Sequence, residues 1–301
     1  MTPLFPSKSP QAARLARELA RFAPTALPLL LEGETGTGKS FLARRLHRRS
    51  RPGRPFLVLD CAAIPATLLP SELFGHTAGA FTDATRRRRG FLELAAEGTL
   101  VLDRADALPP AAQASLLRVL EERRFTPLGA TQPRPFRARV VALVGPDLKA
   151  KIESGQFRPD LYHRLAGYHA RLLPLRERPE DILPAARRWL AQRAPGSQLS
   201  PEAEKLLAAY PWPGNFRELE AVLQRAALEA GVGNIEAANL RFPLWDWAGT
   251  LPQVARQGLT LDEAAKLYAL FVLAQEKGNV SRAARVLGVS RRTLIRWRRE
   301  G

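Results

Sequence analysis

Apolar and polar residues follow one another in blocks whose period changes along the chain. Over Gln11–Phe22 the apolar residues Ala13, Leu15, Ala16, Leu19, Ala20 and Phe22 recur at helical spacing, which predicts an amphipathic helix. Leu27–Leu31 is a short unbroken apolar run, the mark of a buried parallel strand, and Phe41–Arg49 returns to helical spacing. The strand pattern recurs at Phe56–Asp60, Thr99–Asp103 and Arg139–Val144, with a helix over Ala111–Arg123 carrying Leu116, Leu117, Val119 and Leu120 on its apolar side. Strands alternating with helices predict an α/β fold with a Rossmann-like parallel sheet. Phe157–Leu165 is mixed and arginine-bearing, and Leu172–Arg178 is a proline-interrupted connector.

From Pro179 to Glu229 only helical spacing remains, broken by Trp212-Pro213-Gly214 ahead of a helix at Asn215–Ala230. The change puts a domain boundary near Leu173. Arg241–Gly258, rich in Pro, Gly and Trp, is expected to be a linker. Three helices are then predicted, at Leu259–Glu276, Ser281–Leu287 and Arg291–Arg299, with Gly288-Val289-Ser290 as the turn and Ser290 as a helix N-cap. That is a helix-turn-helix, with Ala283, Ala284, Leu287, Val289, Leu294 and Ile295 as its candidate core. The expected division is 1–172 for the α/β domain, 173–240 for a helical domain, 241–258 for the linker and 259–301 for the helix-turn-helix.

A chain of 301 residues is long enough for two or three such domains. Cys61 is the only cysteine, which excludes an internal disulfide framework, and with four scattered histidines no zinc site is expected. No apolar run approaches the ~18 residues of a membrane helix, and no signal-peptide core follows Met1, so the expected location is the cytoplasm. The formal charge of +17 implies a polyanionic partner. Only seven of the 46 basic residues are lysine, however, so genome composition accounts for the arginine excess equally well until the charge is localised. Between Ser281 and Arg299 it is localised. Arg282, Arg285, Arg291, Arg292, Arg296, Arg298 and Arg299 stand there without an acid, and with Ser290 and Thr293 they are the candidate contacts to double-stranded DNA. A solvated basic helix that only caps a bundle is the alternative.

The candidate chemistry begins between the first strand and the second helix. Gly33, Glu34, Thr35, Gly36, Thr37, Gly38, Lys39 and Ser40 spell GETGTGKS, a complete GxxxxGK[ST] phosphate loop in its strand–loop–helix setting. Its glycines let successive N–H groups point at phosphate oxygens, and the helix adds its positive N-terminal dipole. Lys39 is placed to reach the β- and γ-phosphates of ATP, and Ser40 to ligate Mg²⁺. The strand TLVLD ends in Asp103, a carboxylate where a nucleotide's Mg²⁺ shell is held.

These pieces together, from about Pro6 to Arg299, resemble the sigma-54-dependent transcription activators, bacterial enhancer-binding proteins of the AAA+ class. Ser71–His76 (SELFGH) and the six residues Gly79, Ala80, Phe81, Thr82, Asp83 and Ala84 (GAFTDA) match the loop that engages sigma-54 in that family. Trp212–Glu220 matches WPGN-RELE, which makes Arg217 the sensor-II arginine. Phe157–Leu165 matches FREDLYYRL, which makes Arg158 and Arg164 the arginine fingers between subunits. The last domain is similar to the Fis-type helix-turn-helix. The resemblance implies ATP and Mg²⁺ as cofactors, RNA polymerase with sigma-54 as partner, and a homo-oligomer, either a dimer on a roughly palindromic operator or a hexameric ring. A chain that starts at the AAA+ domain is also expected to lack the receiver or ligand-sensing domain that many members carry in front.

Four departures fall on the chemistry. The family's LDE is Leu102-Asp103-Arg104, so the carboxylate that polarises the attacking water is an arginine. Loss of a positioned general base costs on the order of 10²–10⁴ in rate. The sensor-I asparagine is replaced by Gly145, the asparagine that closes the second strand by Asp60, and the second glycine of GAFTGA by Asp83. Asp60 and Arg104 are expected to form an ion pair, and Asp83 to stiffen and charge the sigma loop. With Asp103, Arg158 and Arg164 the remaining catalytic candidates, the leading expectation is a DNA-binding regulator that binds ATP and hydrolyses it weakly. One alternative is a working ATPase that remodels sigma-54 polymerase, with a group such as Asp106 replacing the glutamate. The other is a repressor or architectural factor acting with the housekeeping polymerase, its ATP site purely structural.

Overall fold

The computed structural model describes residues 5, 7–81, 84–231, 233–242, 261–276 and 278–300; the side chains at 261–264, 267, 274, 275 and 298–300 lie outside the description. The chain divides into two compact units, Met1–Leu173 and Pro174–Gly301.

The first unit is built on a five-stranded parallel sheet of β1 (Leu29–Glu32), β2 (Phe56–Asp60), β3 (Thr99–Asp103), β4 (Arg139–Val144) and β5 (Tyr168–Arg171), in the spatial order β2-β3-β4-β1-β5. The first four coincide closely with the apolar runs. Strands buried on both faces need apolar side chains in both directions, and all six residues of β4 are buried. β5 reads Tyr-His-Ala-Arg and only Ala170 is buried, as befits an edge strand, so the apolar signal that marks the others is missing.

Alternate residues of the central strands serve different layers. Leu100, Leu102, Val140, Ala142 and Val144 pack with helix α3 (Pro110–Glu122) through Leu116, Val119 and Leu120. Leu29, Leu31, Val101, Val141 and Leu143 face α1 (Pro10–Phe22) and α2 (Lys39–Ser50), which contribute Leu19, Ala20, Leu42, Ala43 and Leu46. Arg139 is 2% exposed and donates to the carbonyls of Phe22, Ala23 and Leu27, satisfying the end of α1 from within the sheet. Burial pushes its guanidinium down to about 10. Two short helices follow β4, α4 (Leu148–Glu153) and α5 (Pro159–Leu165).

The second unit contains α6 (Ile182–Arg193), α7 (Pro201–Ala209), α8 (Asn215–Ala230), α9 (Leu261–Gln275), α10 (Val280–Leu287) and α11 (Arg291–Glu300). Trp212 is fully buried and donates its indole N–H to Leu207, and its neighbours Tyr210, Phe242 and Phe271 form an aromatic cluster, with Tyr210 and Phe242 stacked at 4.4 Å. Phe271 belongs to α9, so the helical region and the first helix of the terminal trio share one core. The expected linker lies outside the described residues from 243 onward.

The helix-turn-helix forms as its local chemistry requires. Asn279 caps α10 by accepting from the Arg282 N–H, Gly288 ends it in the left-handed region at φ 66°, and Ser290 accepts from the Thr293 N–H at 3.0 Å. Ala283, Ala284 and Leu294 are buried, and Leu287 and Val289 pack against them half-buried. Ile295 departs from expectation. It is 42% exposed and takes no part in the core, because it lies about 100° round the helix from the buried Leu294.

Candidate nucleotide site and nucleic-acid face

The phosphate loop joins β1 to α2, and its curl depends on glycine at two particular places. A Cβ at residue 33 would lie 2.9 Å from the Leu172 carbonyl, and Gly38 stands in the left-handed region at φ 100° directly before α2. The first turn of α2 carries no acid, so no carboxylate of the helix itself opposes an anion at its N-terminus. Lys39 lies across the loop, donating to the carbonyls of Gly33 at 2.5 Å and Glu34 at 2.9 Å. Thr37 closes the loop through its hydroxyl to the Glu34 carbonyl at 2.8 Å. Gly33 donates its N–H to Val144 at 3.3 Å, which brings the end of β4 beside the cradle.

Strand register sets the second half of the site. Asp60 pairs with Asp103 across β2 and β3, so both carboxylates stand at the C-terminal edge of the sheet. Asp103 is half-buried, and among the described residues its carboxylate makes no hydrogen bond or ion pair. Ser40 is exposed and equally unengaged there. An open carboxylate and an open hydroxyl are the hard oxygen donors that Mg²⁺ takes, and together with the loop they fit Mg²⁺-ATP. When bound, the metal supplies charge to hold the β- and γ-phosphates; Ser40 and Asp103 are the residues that would carry it.

Beyond Asp103 the chain turns back through Arg104, which is held left-handed at φ 55°. Its side chain lies on Asp60: Nε donates to Oδ1 at 2.9 Å and Nη2 to Oδ1 and Oδ2, both at 2.6 Å. The expected ion pair is therefore formed. Burial by itself would raise the Asp60 carboxyl, but the Arg104 bonds, with the N–H groups of Ala62 and Ala63, outweigh it and hold Asp60 below the ordinary value. Both partners are about half exposed, so solvent screens the pair and it contributes little to stability. Its consequence is chemical. Where the family pattern has a glutamate, this chain has a guanidinium, which accepts no hydrogen bond.

Gly145, just past the end of β4, stands where a side chain would be crowded. A Cβ there would lie 2.5 Å from Asp147 Oδ1 and 3.5 Å from Asp106 Oδ2. Lys151 on α4 bridges both acids, at 2.5 Å to Asp106 and 3.2 Å to Asp147. Asp106 Oδ1 is buried and has no partner among the described residues. The candidate replacement for the missing glutamate is thus tied to a lysine and shielded from water. The Lys151 cluster has no motif in the sequence and escapes a reading of it. Cys61, next to Asp60, is also sealed in. Burial first, then the charges of Asp60, Asp103 and Asp106, push its thiol up to about 12.

The arginines predicted to act between subunits are exposed. Arg158 is held in a fork by Asp160, with bonds of 3.0 and 2.7 Å, and Arg164 on α5 donates to the Leu120 carbonyl at the end of α3. Arg217 belongs to the second unit, exposed on α8. The turn before it is fixed by Glu218, which accepts from Tyr210 Oη and the Gly214 N–H, and by Asn215, which accepts from the Leu175 N–H at 2.7 Å.

Gly75–His76 pairs antiparallel with Arg88–Arg89, making a hairpin that carries the predicted sigma loop at its tip. Gly79 donates to the Ala84 carbonyl at 2.8 Å across the loop neck. Phe81 is 45% exposed and sits edge-on to His76. Thr82 and Asp83 lie outside the described residues. The basic run behind the loop is largely spoken for: Arg87 and Arg89 pair with Glu93, and Arg88 with Glu72.

On the nucleic-acid side, Arg282, Arg285, Arg291, Arg292, Arg296 and Ser290 are exposed and Thr293 is half-buried. The side chains of Arg298 and Arg299 fall outside the description. Among the described residues no helix is long and apolar enough to cross a membrane, and no group of three metal-binding side chains occurs.

Comparison with known proteins agrees with this arrangement along its length. The Sigma-54 interaction domain matches residues 5–171, the AAA+ ATPase lid domain 176–249 and the Fis family of bacterial regulatory proteins 271–300. The regulatory protein AtoC of Escherichia coli is 39% identical, over 96% of this chain and 66% of its own. The Nif-specific regulatory protein of Azotobacter vinelandii is 40% identical, over 95% of this chain and 56% of its own. NtrX from Brucella abortus, solved in complex with ADP, superposes with a TM-score of 0.73 at 28% identity, covering 97% of this chain and 68% of that one. The chain spans half to two thirds of the length of the curated relatives it matches.

Proposed function

The chain belongs to the sigma-54-dependent transcription regulators of the AAA+ class, and from that premise we propose that it regulates transcription as a DNA-bound protein that holds Mg²⁺-ATP and hydrolyses it weakly. The observation that carries this is the Asp60–Arg104 ion pair beside an otherwise complete cradle. In the proposed cycle the loop N–H groups and Lys39 bind the phosphates, and Ser40 and Asp103 carry the metal. Arg158 and Arg164 reach the nucleotide of a neighbouring subunit. ATP then acts chiefly as an assembly ligand. For Arg158 that contact means leaving the Asp160 fork.

The fully active ATPase is disfavoured by Asp106, whose one engaged oxygen belongs to Lys151. Engagement of sigma-54 is favoured by Phe81, which is exposed at the hairpin tip. Calorimetric titration with Mg²⁺-ATP and Mg²⁺-ADP tests the binding half: saturable heats at one site per chain are expected, and their absence would remove the proposal. Pull-down of sigma-54 by the wild type, lost in Phe81→Ala, tests the partner. Equal recovery by both would exclude the Phe81 contact.

A further inference from the structure

Ile295 stands where a large apolar side chain has no structural reason to be. The buried face of α11 is made by Leu294, with Thr293 and Trp297 beside it, while Arg291, Arg292, Ile295 and Arg296 are exposed. Residues 291 and 295, and 292 and 296, are each one turn apart, so Ile295 lies within the arginine face rather than at its margin.

Its surroundings indicate what it meets. No acid occurs from Ser281 to Arg299, and Arg282 and Arg285 add exposed charge from α10. A second copy of the same face would set arginines against arginines, whereas a polyanion is attracted by all of them. The major groove of DNA admits a helix and, among the edges of its bases, presents one distinctive apolar group, the 5-methyl of thymine. Arginines can fix the helix on phosphates or read guanine, but neither use needs an isoleucine.

We infer that Ile295 reads thymine by packing on its 5-methyl group in each half-site, so that it is a specificity-determining residue of the helix-turn-helix. The inference rests on the DNA-binding part of the proposed function. It predicts thymine at one fixed position of every half-site, flanked by positions read by the arginines.

The test begins by selecting duplexes from a randomised pool with the full chain. In the best of them, each dT is then replaced in turn by dU, which deletes only the methyl group. For the wild type, one position per half-site should cost about fourfold in affinity, the worth of one buried methyl. Ile295→Ala should bind the thymine duplex about fourfold or more weakly and show no further loss with dU there, its circular dichroism unchanged because the residue is exposed. An equal dU penalty in wild type and Ile295→Ala overturns the inference, as does no penalty at any position. Loss of self-association in Ile295→Ala with its dU response unaltered assigns the residue to a second copy instead. A wild type that enriches no sequence overturns the DNA-binding reading itself, a different outcome from enrichment without methyl dependence.

Discussion

The loop 33–40 and the strand ends at 60, 104 and 145 belong to one proposed nucleotide site and differ in how far they keep the family pattern. Every feature that the loop needs is present: left-handed glycines, a helix start free of acids, a lysine across the curl. At the strand ends Arg104, where the family pattern has a glutamate, is clamped on Asp60, and Gly145 stands where that pattern has an asparagine. On the proposed function, the difference teaches that holding nucleotide and cleaving it depend on separate elements. Backbone curvature and a helix dipole provide the first, and the second depends on side chains at the ends of β2, β3 and β4.

The largest expected effect breaks the contrast by restoring the strand ends. Asp60→Asn together with Arg104→Glu should raise phosphate release by about 10² or more, the usual contribution of a positioned base. An unchanged rate would mean that the clamp is not what limits turnover. Lys39→Ala sharpens the other side. It should weaken Mg²⁺-ATP by roughly 10–100-fold, as expected from losing charge-assisted hydrogen bonds, while leaving the thermal unfolding of the chain nearly unchanged. Unaltered affinity in the titration would move the phosphates away from this loop.

A smaller effect is expected far from the site. Arg292→Ala should weaken a selected duplex by about tenfold and reduce the slope of log affinity against log salt by about 1 if the residue meets phosphate. A duplex affinity and salt slope equal to the wild type would remove Arg292 from the interface. The smallest concerns pH. Because Asp60 is held below the usual carboxylate value, the stability it contributes is present above its unfolded value of about 3.9 and is lost as pH falls through the lower folded one. Wild type minus Asp60→Asn, measured by denaturant unfolding, should therefore be flat from about pH 8 to 5 and shrink only below about 4, by no more than ~1 kcal/mol. A difference that changes near neutrality would place the pair's titration elsewhere.

What was legible in the chain followed from how local the signal is. The phosphate loop is eight consecutive residues, and β1, β3 and β4 stand out as apolar runs because they lie inside the sheet with nearly every residue buried, while the edge strand β2 is apolar although it buries only Leu59. The Asp60–Arg104 pair was legible through the family resemblance, in which the residues at these two positions interact, and the register of β2 on β3 sets their ends side by side. β5 was not, since an edge strand reading Tyr-His-Ala-Arg buries one residue and carries no period. Lys151 and Asp106 are separated by 45 residues and meet only through the packing of α4 on the turn after β3. Arg139 opened a predicted strand without any sign that its guanidinium would collect three carbonyls from the α1 end. Ile295 was misplaced because hydrophobicity alone cannot tell which of two adjacent apolar residues on a three-turn helix faces inward; only the packing of Leu294 decides it.

The separation of holding from cleaving is tested most directly by measuring nucleotide binding and steady-state phosphate release together, in the wild type and in Lys39→Ala. The account predicts saturable Mg²⁺-ATP binding by the wild type with phosphate release close to the level of the variant, and binding weakened by roughly 10–100-fold in the variant. Rapid release by the wild type that vanishes in Lys39→Ala would contradict it, because the site would then be cleaving ATP with Arg104 in place.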